Sequence, residues 1–287
     1  MISRPGPVVI RLEDGPESAD QVGPVLTRAG IRLGQPVVVL VGGASGMSTA
    51  DVATASALFD AALVPALRTT GAGLVDGGTN AGVMALAGSA RSRASLGGTH
   101  IGVIAAGVIA AGALADVGGN DRSSDPVQLE QHHSHVLVVP GADWGDEAPW
   151  LSRVATVVSD GQPSVTLLVN GGDIAYQDME LSLEAGRPAI VIAGTGRTAY
   201  DIAASPPATP RARALAVHHW FGSFLPRRRA SSTRCAKPYR GDKSKVQDRF
   251  SHASAQDFPM ILGLRSPESD KSKITTVSAT RRLKTFR

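Results

Sequence analysis

The sequence predicts an α/β fold: a doubly wound, mainly parallel sheet with helices on both faces. Three observations lead there. Val37-Val38-Val39-Leu40-Val41 is continuously apolar and β-branched. Such a run, lacking the alternation of a half-exposed strand, is typical of strands buried on both faces of a parallel sheet. Similar runs recur along the chain and alternate with Ala- and Leu-rich stretches of helical spacing, the signature of repeated βα units. Glycine pairs close the strands at Gly42-Gly43, Gly77-Gly78 and Gly171-Gly172, with Gly194 and Gly196 after the last.

Taken in order, Val8–Leu12 is a short apolar run in a Pro/Gly-rich opening and reads as an edge strand, so residues 1–34 form an extension before the main domain. The strand Val37–Val41 ends in Gly42-Gly43-Ala44-Ser45-Gly46. A helix follows, with Ala53, Ala57, Leu58, Ala61, Leu63 and Leu67 on one side, up to Gly71. Gly73–Val75 is the next strand. It turns through Asp76-Gly77-Gly78-Thr79-Asn80 into an Ala-rich helix with almost no room for a loop. His100–Val103 is a third strand of the domain, extending toward Ile109. Residues 116–131 read as a polar surface loop. His135–Val139 and Val165–Val169 are further strands, separated by a helix over Glu147–Ser159. Met179–Ala185 is a helix stopped by Gly186 and Pro188, as a glycine C-cap would do. Ala189–Ala193 is the last strand, before Gly194-Thr195-Gly196-Arg197.

Of the 287 residues 43% are hydrophobic but only 4% aromatic, so Val, Ile, Leu and Ala must build the core. The single cysteine, Cys235, excludes a disulfide framework and a Cys-cluster metal site. The N-terminus has no charged-then-apolar signal pattern, and a cytoplasmic location is expected. Leu96–Ala115 is uncharged, but its glycines and His100 fit a buried strand and turn better than a membrane span.

Charge divides the chain. Residues 1–205 carry 11 Lys+Arg against 20 Asp+Glu, and residues 206–287 carry the remaining 18 against 5, with all the lysines after residue 236. The domain is therefore expected over 35–205. The basic stretch 206–287 is expected to be largely irregular, either a functionless or non-native end, a solvated linker, or an arm for nucleic acid.

In a doubly wound sheet every βα loop opens at the carboxyl edge, where ligands bind. The glycine turns converge there and allow close backbone approach at helix N-termini, which favour anions. Gly42, Gly43, Ser45 and Gly46 would donate from the first turn, with Ser45 on a phosphate oxygen. Gly77, Gly78, Thr79 and Asn80 would form a second wall, while Asp76 bonds a ribose hydroxyl or caps the helix. Gly171 and Gly172 supply a third, and Gly194, Thr195 and Gly196 a fourth. Beside them Arg197 is placed to clamp a phosphate bidentately. His132, His133 and His135 invite a metal reading, but partners at metal spacing are not evident in the sequence, and no metal site is expected. Glu180, with Glu184 one turn on, is the weak candidate for a general acid/base, though repeated acids on a helix are usually a solvated face.

Two segments carry a resemblance: Val37–Met47 and the Asp76-Gly77-Gly78-Thr79-Asn80-Ala81-Gly82-Val83-Met84 turn. They resemble the SLOG superfamily, specifically the prokaryotic branch similar to the N-terminal cytosolic domain of melastatin-type TRP channels. Ile101–Ile104, His133–Val139, Leu168–Gly172 and Gly186–Asp201 match in the expected order, so the resemblance spans about residues 35–203. It implies a Rossmann-like domain that binds or senses a nucleotide-derived ligand, ADP-ribose- or NAD-like, with no certain resident cofactor. The related cytokinin-activating phosphoribohydrolases use a Pro-Gly-Gly-x-Gly-Thr-x-x-Glu loop. Here Asn170–Glu180 lacks the second Gly-Thr pair and spaces Glu180 differently, which weighs against carrying hydrolase chemistry over. The expected partner is a small-molecule nucleotide, and self-association is left open. The alternatives are an enzyme cleaving N-glycosidic or phosphoribosyl bonds and, less favoured, nucleic-acid binding through the basic end.

Overall fold

A computed structural model describes residues 6–12, 18–109, 127–217 and 221–224. Its strands are β1 (Val8–Arg11), β2 (Val37–Gly42), β3 (Gly73–Asp76), β4 (His100–Ala105), β5 (His135–Val139), β6 (Ser164–Val169), β7 (Ala189–Ile192) and β8 (Phe221–Phe224). They form one sheet in the order β1-β5-β4-β3-β2-β6-β7-β8. Every pairing is parallel.

β2 lies at the centre, and its side chains show why an unbroken apolar run was required. Val37, Val39 and Val41 point into one hydrophobic cluster, and Val38 and Leu40 into the cluster on the opposite face. Helices α1 (Ser18–Arg28), α5 (Ala148–Ser159), α6 (Asp173–Glu184), α7 (Arg197–Ala203) and α8 (Pro210–Ala216) cover the first face. The second is covered by α2 (Thr49–Leu58), α3 (Val64–Thr70) and α4 (Gly82–Arg93). A π-helical turn, Phe59–Leu63, joins α2 to α3. The resulting run Thr49–Thr70 is long and apolar enough to cross a membrane by composition. Phe59 and Leu63 are nevertheless fully buried against the sheet, as in a core helix. A third, smaller cluster of Ile104, Val108, Ile109, Leu129, Val136 and Val138 holds Trp144 at its border.

The expected architecture is present, and differences lie at element ends. α1 occupies part of the opening read only as an extension. It contains Pro24, yet buries Val22 and Leu26, one helical turn apart. α6 starts at Asp173 rather than Met179, burying Ala175 and Tyr176 in its first turns. Ordered structure also runs past residue 205: α8 packs Ala212 and Leu215 into the first-face core, and β8 pairs with β7. The charge change marks a change in surface, not the end of the sheet. The remainder of the basic stretch, from residue 225, and most of the polar loop at 116–131 lie outside the described residues.

A chain ending at residue 205 uncovers the core beneath α8. At about 1.5–3 kcal/mol for a fully buried Leu-sized side chain, it should unfold at lower urea concentration than a chain ending at residue 229, by about 2–4 kcal/mol.

Candidate functional site

The chain builds β2 to β5 toward one side of the sheet, then crosses back through α5 to start β6 on the other side of β2. The loops after β2 and β6 therefore diverge at a topological switch point, where an open α/β sheet leaves a crevice. Arg197, from the loop after β7, lies across it. Its Nη1 donates to the Ser45 carbonyl at 2.7 Å. A methyl on Gly46 would sit 3.2 Å from Nη1, and one on Gly172 only 2.9 Å from Nη2. Ser45, Gly46, Gly172 and Arg197 are thus brought together from three loops. Arg197 itself adopts a left-handed backbone, φ 49°, an unusual state for a non-glycine residue.

A residue absent from the candidate set holds these loops in place. Asn170, fully buried with φ 62°, donates through Nδ2 to the Thr195 carbonyl at 2.6 Å and accepts from Gly171 N–H at 2.9 Å. The Thr195 hydroxyl accepts from Asn170 N–H and donates to the Ile192 carbonyl. Thr195 is therefore a brace, its side chain fully used. Gly43 leaves the space Asn170 Oδ1 needs, since a methyl there would lie 2.6 Å from it. Gly42 packs on the Val169 carbonyl and Val83, and Gly171 on Ala175 and Thr198. Gly194 (φ 79°) and Gly196 (φ 83°) carry the turn into α7.

The first turn also carries its own cap. The Ser48 side chain accepts from Asp51 N–H while the Asp51 carboxylate accepts from Ser48 N–H, a capping box that satisfies the start of α2 internally. Asp51 Oδ2 reaches toward Gly196, 3.0 Å from where a methyl would stand. Asp173 opens α6 next to Gly172. The crevice is accordingly mixed in charge, with the Arg197 guanidinium at Gly46 and Gly172 and the Asp51 carboxylate at Gly196 among the described residues.

The second wall is built differently from the expectation. Gly82 comes so close to the Gly43 carbonyl that a Cβ would overlap it, and Val83 N–H donates to that carbonyl. Gly77, beside Met84, and Gly78 turn the chain away, Gly78 with φ 70° lying against Gly102. Thr79 is buried and bridges Leu129, while exposed Asn80 gives its N–H to the Gln128 carbonyl. Asp76 does not face the crevice. It is completely buried, with Oδ2 2.8 Å from His100 Nε2, Oδ1 2.7 Å from His133 Nε2, and Gly78 N–H donating to Oδ1.

The other ring nitrogen of His133, Nδ1, lies 2.8 Å from Glu130 Oε2, and Glu130 also binds His132. The His100 and His133 rings stack with centroids 3.7 Å apart. Burial opposes charge on His133, but the carboxylates of Asp76 and Glu130 override it and raise the pKa to about 9. Burial, reinforced by the charge on His133, lowers His100 to about 4. Burial alone would raise Asp76, yet the two histidines hold it well below the usual carboxylate range. The His100 Nδ1 and the Thr79 hydroxyl are buried without a hydrogen-bond partner among the described residues. β5 begins only at His135, so His133 belongs to the preceding turn and points away from His135, whose Nε2 reaches the Ala29 carbonyl.

Glu180 lies two turns along α6, in a bidentate pair with Arg211 at 2.6 Å through each oxygen, and both partners are partly exposed. This engagement, away from the glycine turns, is that of a surface ion pair. A different carboxyl on α6 is perturbed: burial, then the neighbouring Glu147, raises Asp178 to about 7, and burial raises Glu147 too.

Asn170→Ala should cost about 2–4 kcal/mol in urea unfolding, because it strands Gly171 N–H and the Thr195 carbonyl in the interior at about 1–3 kcal/mol each. Asn170→Gly should cost less, since glycine accepts the left-handed backbone.

Asp178 holds its proton in the folded state to about pH 7, whereas the unfolded chain releases it near the ordinary aspartate value of 3.8. Folding then binds more protons than unfolding does between those values, so this group's contribution to stability falls as pH rises through the window. Asp178→Asn should therefore stabilise the protein at pH 8 and bring no such gain at pH 4, as read from urea midpoints at the two pH values.

Comparison with known proteins follows the same outline. The family described as SLOG in TRPM, prokaryote, matches residues 35–229. A transient receptor potential cation channel subfamily M member-like 2 from Nematostella vectensis is 28% identical over 182 residues, covering 50% of this chain and 11% of that protein. The chain thus spans only about a tenth of that relative's length. Among solved structures, the molybdenum cofactor binding protein from Rippkaea orientalis aligns at 18% identity with a TM-score of 0.37, over 54% of this chain and 75% of the other. With a family match over β2 to β8, the switch-point loops and the glycine turns between them, the chain belongs to the prokaryotic branch of the SLOG-in-TRPM family.

Proposed function

We propose that the crevice between the β2, β6 and β7 loops binds a nucleotide-derived ligand of the ADP-ribose or NAD type, and that the protein acts as a cytoplasmic sensor of it. The observation that carries this reading is the setting of Arg197. Its guanidinium donates to the Ser45 carbonyl and forms no ion pair among the described residues, while Gly46 and Gly172, lacking side chains, leave room beside it. Guanidinium donors in such a place suit a phosphate. The Asp51 carboxylate beside Gly196 suits a hydroxyl donor such as a ribose diol. A ligand carrying both groups fits better than a bare phosphate, which that carboxylate would repel.

On this reading Ser45, Gly46, Gly172, Gly194, Gly196 and Arg197 contact the ligand, all inside the unit 35–205. Gly42, Gly43, Gly171 and Thr195 shape the loops, whereas Gly77, Gly78, Thr79 and Asn80 pack toward Met84, Gly102, Gln128 and Leu129.

Calorimetry with ADP-ribose, NAD and AMP should show saturable binding of at least one of them. Arg197→Ala should then lose at least about 1.5 kcal/mol of binding free energy, the lower range for a hydrogen bond to a charged group, and Gly172→Val should weaken binding by displacing the guanidinium. Absence of binding across a thermal-shift panel of nucleotides would remove the reading.

A further inference from the structure

We propose that Asp76, His100 and His133 form a buried binding site for a zinc-class divalent cation. One donor atom from each of the three residues lies within 4.8 Å of the others, and Asp76 turns Oδ2 to His100 Nε2 and Oδ1 to His133 Nε2. They come from the end of β3, the start of β4 and the turn before β5, so the site ties three neighbouring strands. This site is separate from the Arg197 crevice and does not rest on the ligand proposed there.

Three features favour a cation. The first is the lone-pair problem at His133. Its ring stands between two carboxylates, Glu130 on Nδ1 and Asp76 on Nε2. A neutral imidazole has one N–H and one lone pair, so with Nδ1–H given to Glu130 the Nε2 lone pair would face the Asp76 carboxylate. Something positive must stand there, either a second proton or a metal ion. The second is the Glu130 bond itself. Metal-ligating histidines generally give their other N–H to a carboxylate, which fixes the tautomer and aims the lone pair at the ion. The third is the space reserved for the ring. A methyl on Gly102 would lie 3.2 Å from His133 Cδ2, so the glycine there leaves room for the edge of the imidazole beside Asp76.

The donor set selects the ion. Two imidazoles and one carboxylate suit zinc and its transition-metal neighbours, whereas magnesium and calcium prefer oxygen throughout. Tetrahedral zinc with bonds of about 2.0–2.1 Å sets its ligand atoms about 3.3 Å apart. The present Nε2–oxygen separations of 2.7 and 2.8 Å would open by about half an ångström on loading. Complete burial makes the ion structural, a staple rather than a centre for turnover.

The test uses the full chain, stripped with chelator and titrated with zinc chloride and with cobalt(II) chloride. Expected are one ion per chain by calorimetry, a raised melting temperature, and visible ligand-field bands from the cobalt form. Asp76→Asn and His133→Gln should each weaken binding at least about 100-fold. Glu130→Gln, which leaves all three donors in place, should weaken it about 10–100-fold; this variant also carries the test should either donor substitution fail to fold by circular dichroism. His132→Gln, outside the donor set, should leave the stoichiometry at one. No saturable zinc or cobalt binding, or binding that Asp76→Asn, His133→Gln and Glu130→Gln leave unchanged, would overturn the proposal and identify His133 as a buried imidazolium.

Discussion

A strand covered on both faces has no water for its backbone, so each of its N–H and C=O groups must find a partner in the strands beside it. That constraint falls hardest on β2. It is met by parallel pairing with β3 on one side and β6 on the other. Parallel pairing obliges the chain to return over a face between strands, and both faces acquire helices as a result. The same constraint collects the turns at one edge and sets β2 and β6 side by side where the winding reverses. Core and crevice have one cause.

At that edge the loops first answer their own backbone needs. Asn170 and Thr195 satisfy each other, Ser48 and Asp51 close the start of α2, and the Gly43 carbonyl receives Val83. A glycine-rich turn is often pictured as a set of donors waiting for a ligand, yet here many glycines are present because another backbone passes too close for a side chain. Gly42, Gly78, Gly82 and Gly102 are of that kind. What these braces leave over is narrower and more polar than the full row of turns: a guanidinium held across a gap, with the Asp51 carboxylate nearby.

The strands were legible because their chemistry is local. Val37–Val41 and Val165–Val169 cannot be read as half-exposed, and the glycine pairs show where they stop. α1 was obscured by Gly23 and Pro24, whose local preferences oppose a helix that Val22 and Leu26 make worthwhile through burial. α6 was shortened in the same manner, since Gly171, Gly172 and Asp173 have the local look of a turn running on, while the burial of Ala175 and Tyr176 starts the helix there. Arg197 could be singled out because the acidic domain offers few cations and this one follows a glycine turn. The environment of Asp76 could not be read: its partner His133 is 57 residues away, and only the pairing of β3, β4 and β5 brings the two together. Asn170 was equally silent, since an asparagine after a strand has the same sequence appearance whether it braces a neighbouring loop or faces solvent.

The position of β2 also bears on how the chain acquires its shape. Val37 pairs with Gly73 soon after both are made, but it also pairs with Ser164 across the whole intervening sequence. Contacts between near neighbours close cheaply and early, and those between distant segments close late, after the entropy of a long loop has been surrendered. The β2–β3–β4 portion can therefore assemble while the later strands are still loose. The gap spanned by Arg197 comes into being only when β6 and β7 dock. Newly made chains would pass through a stage with most of one flank of the sheet formed and one margin of β2 bare, and that margin is the surface that needs protection from neighbouring chains.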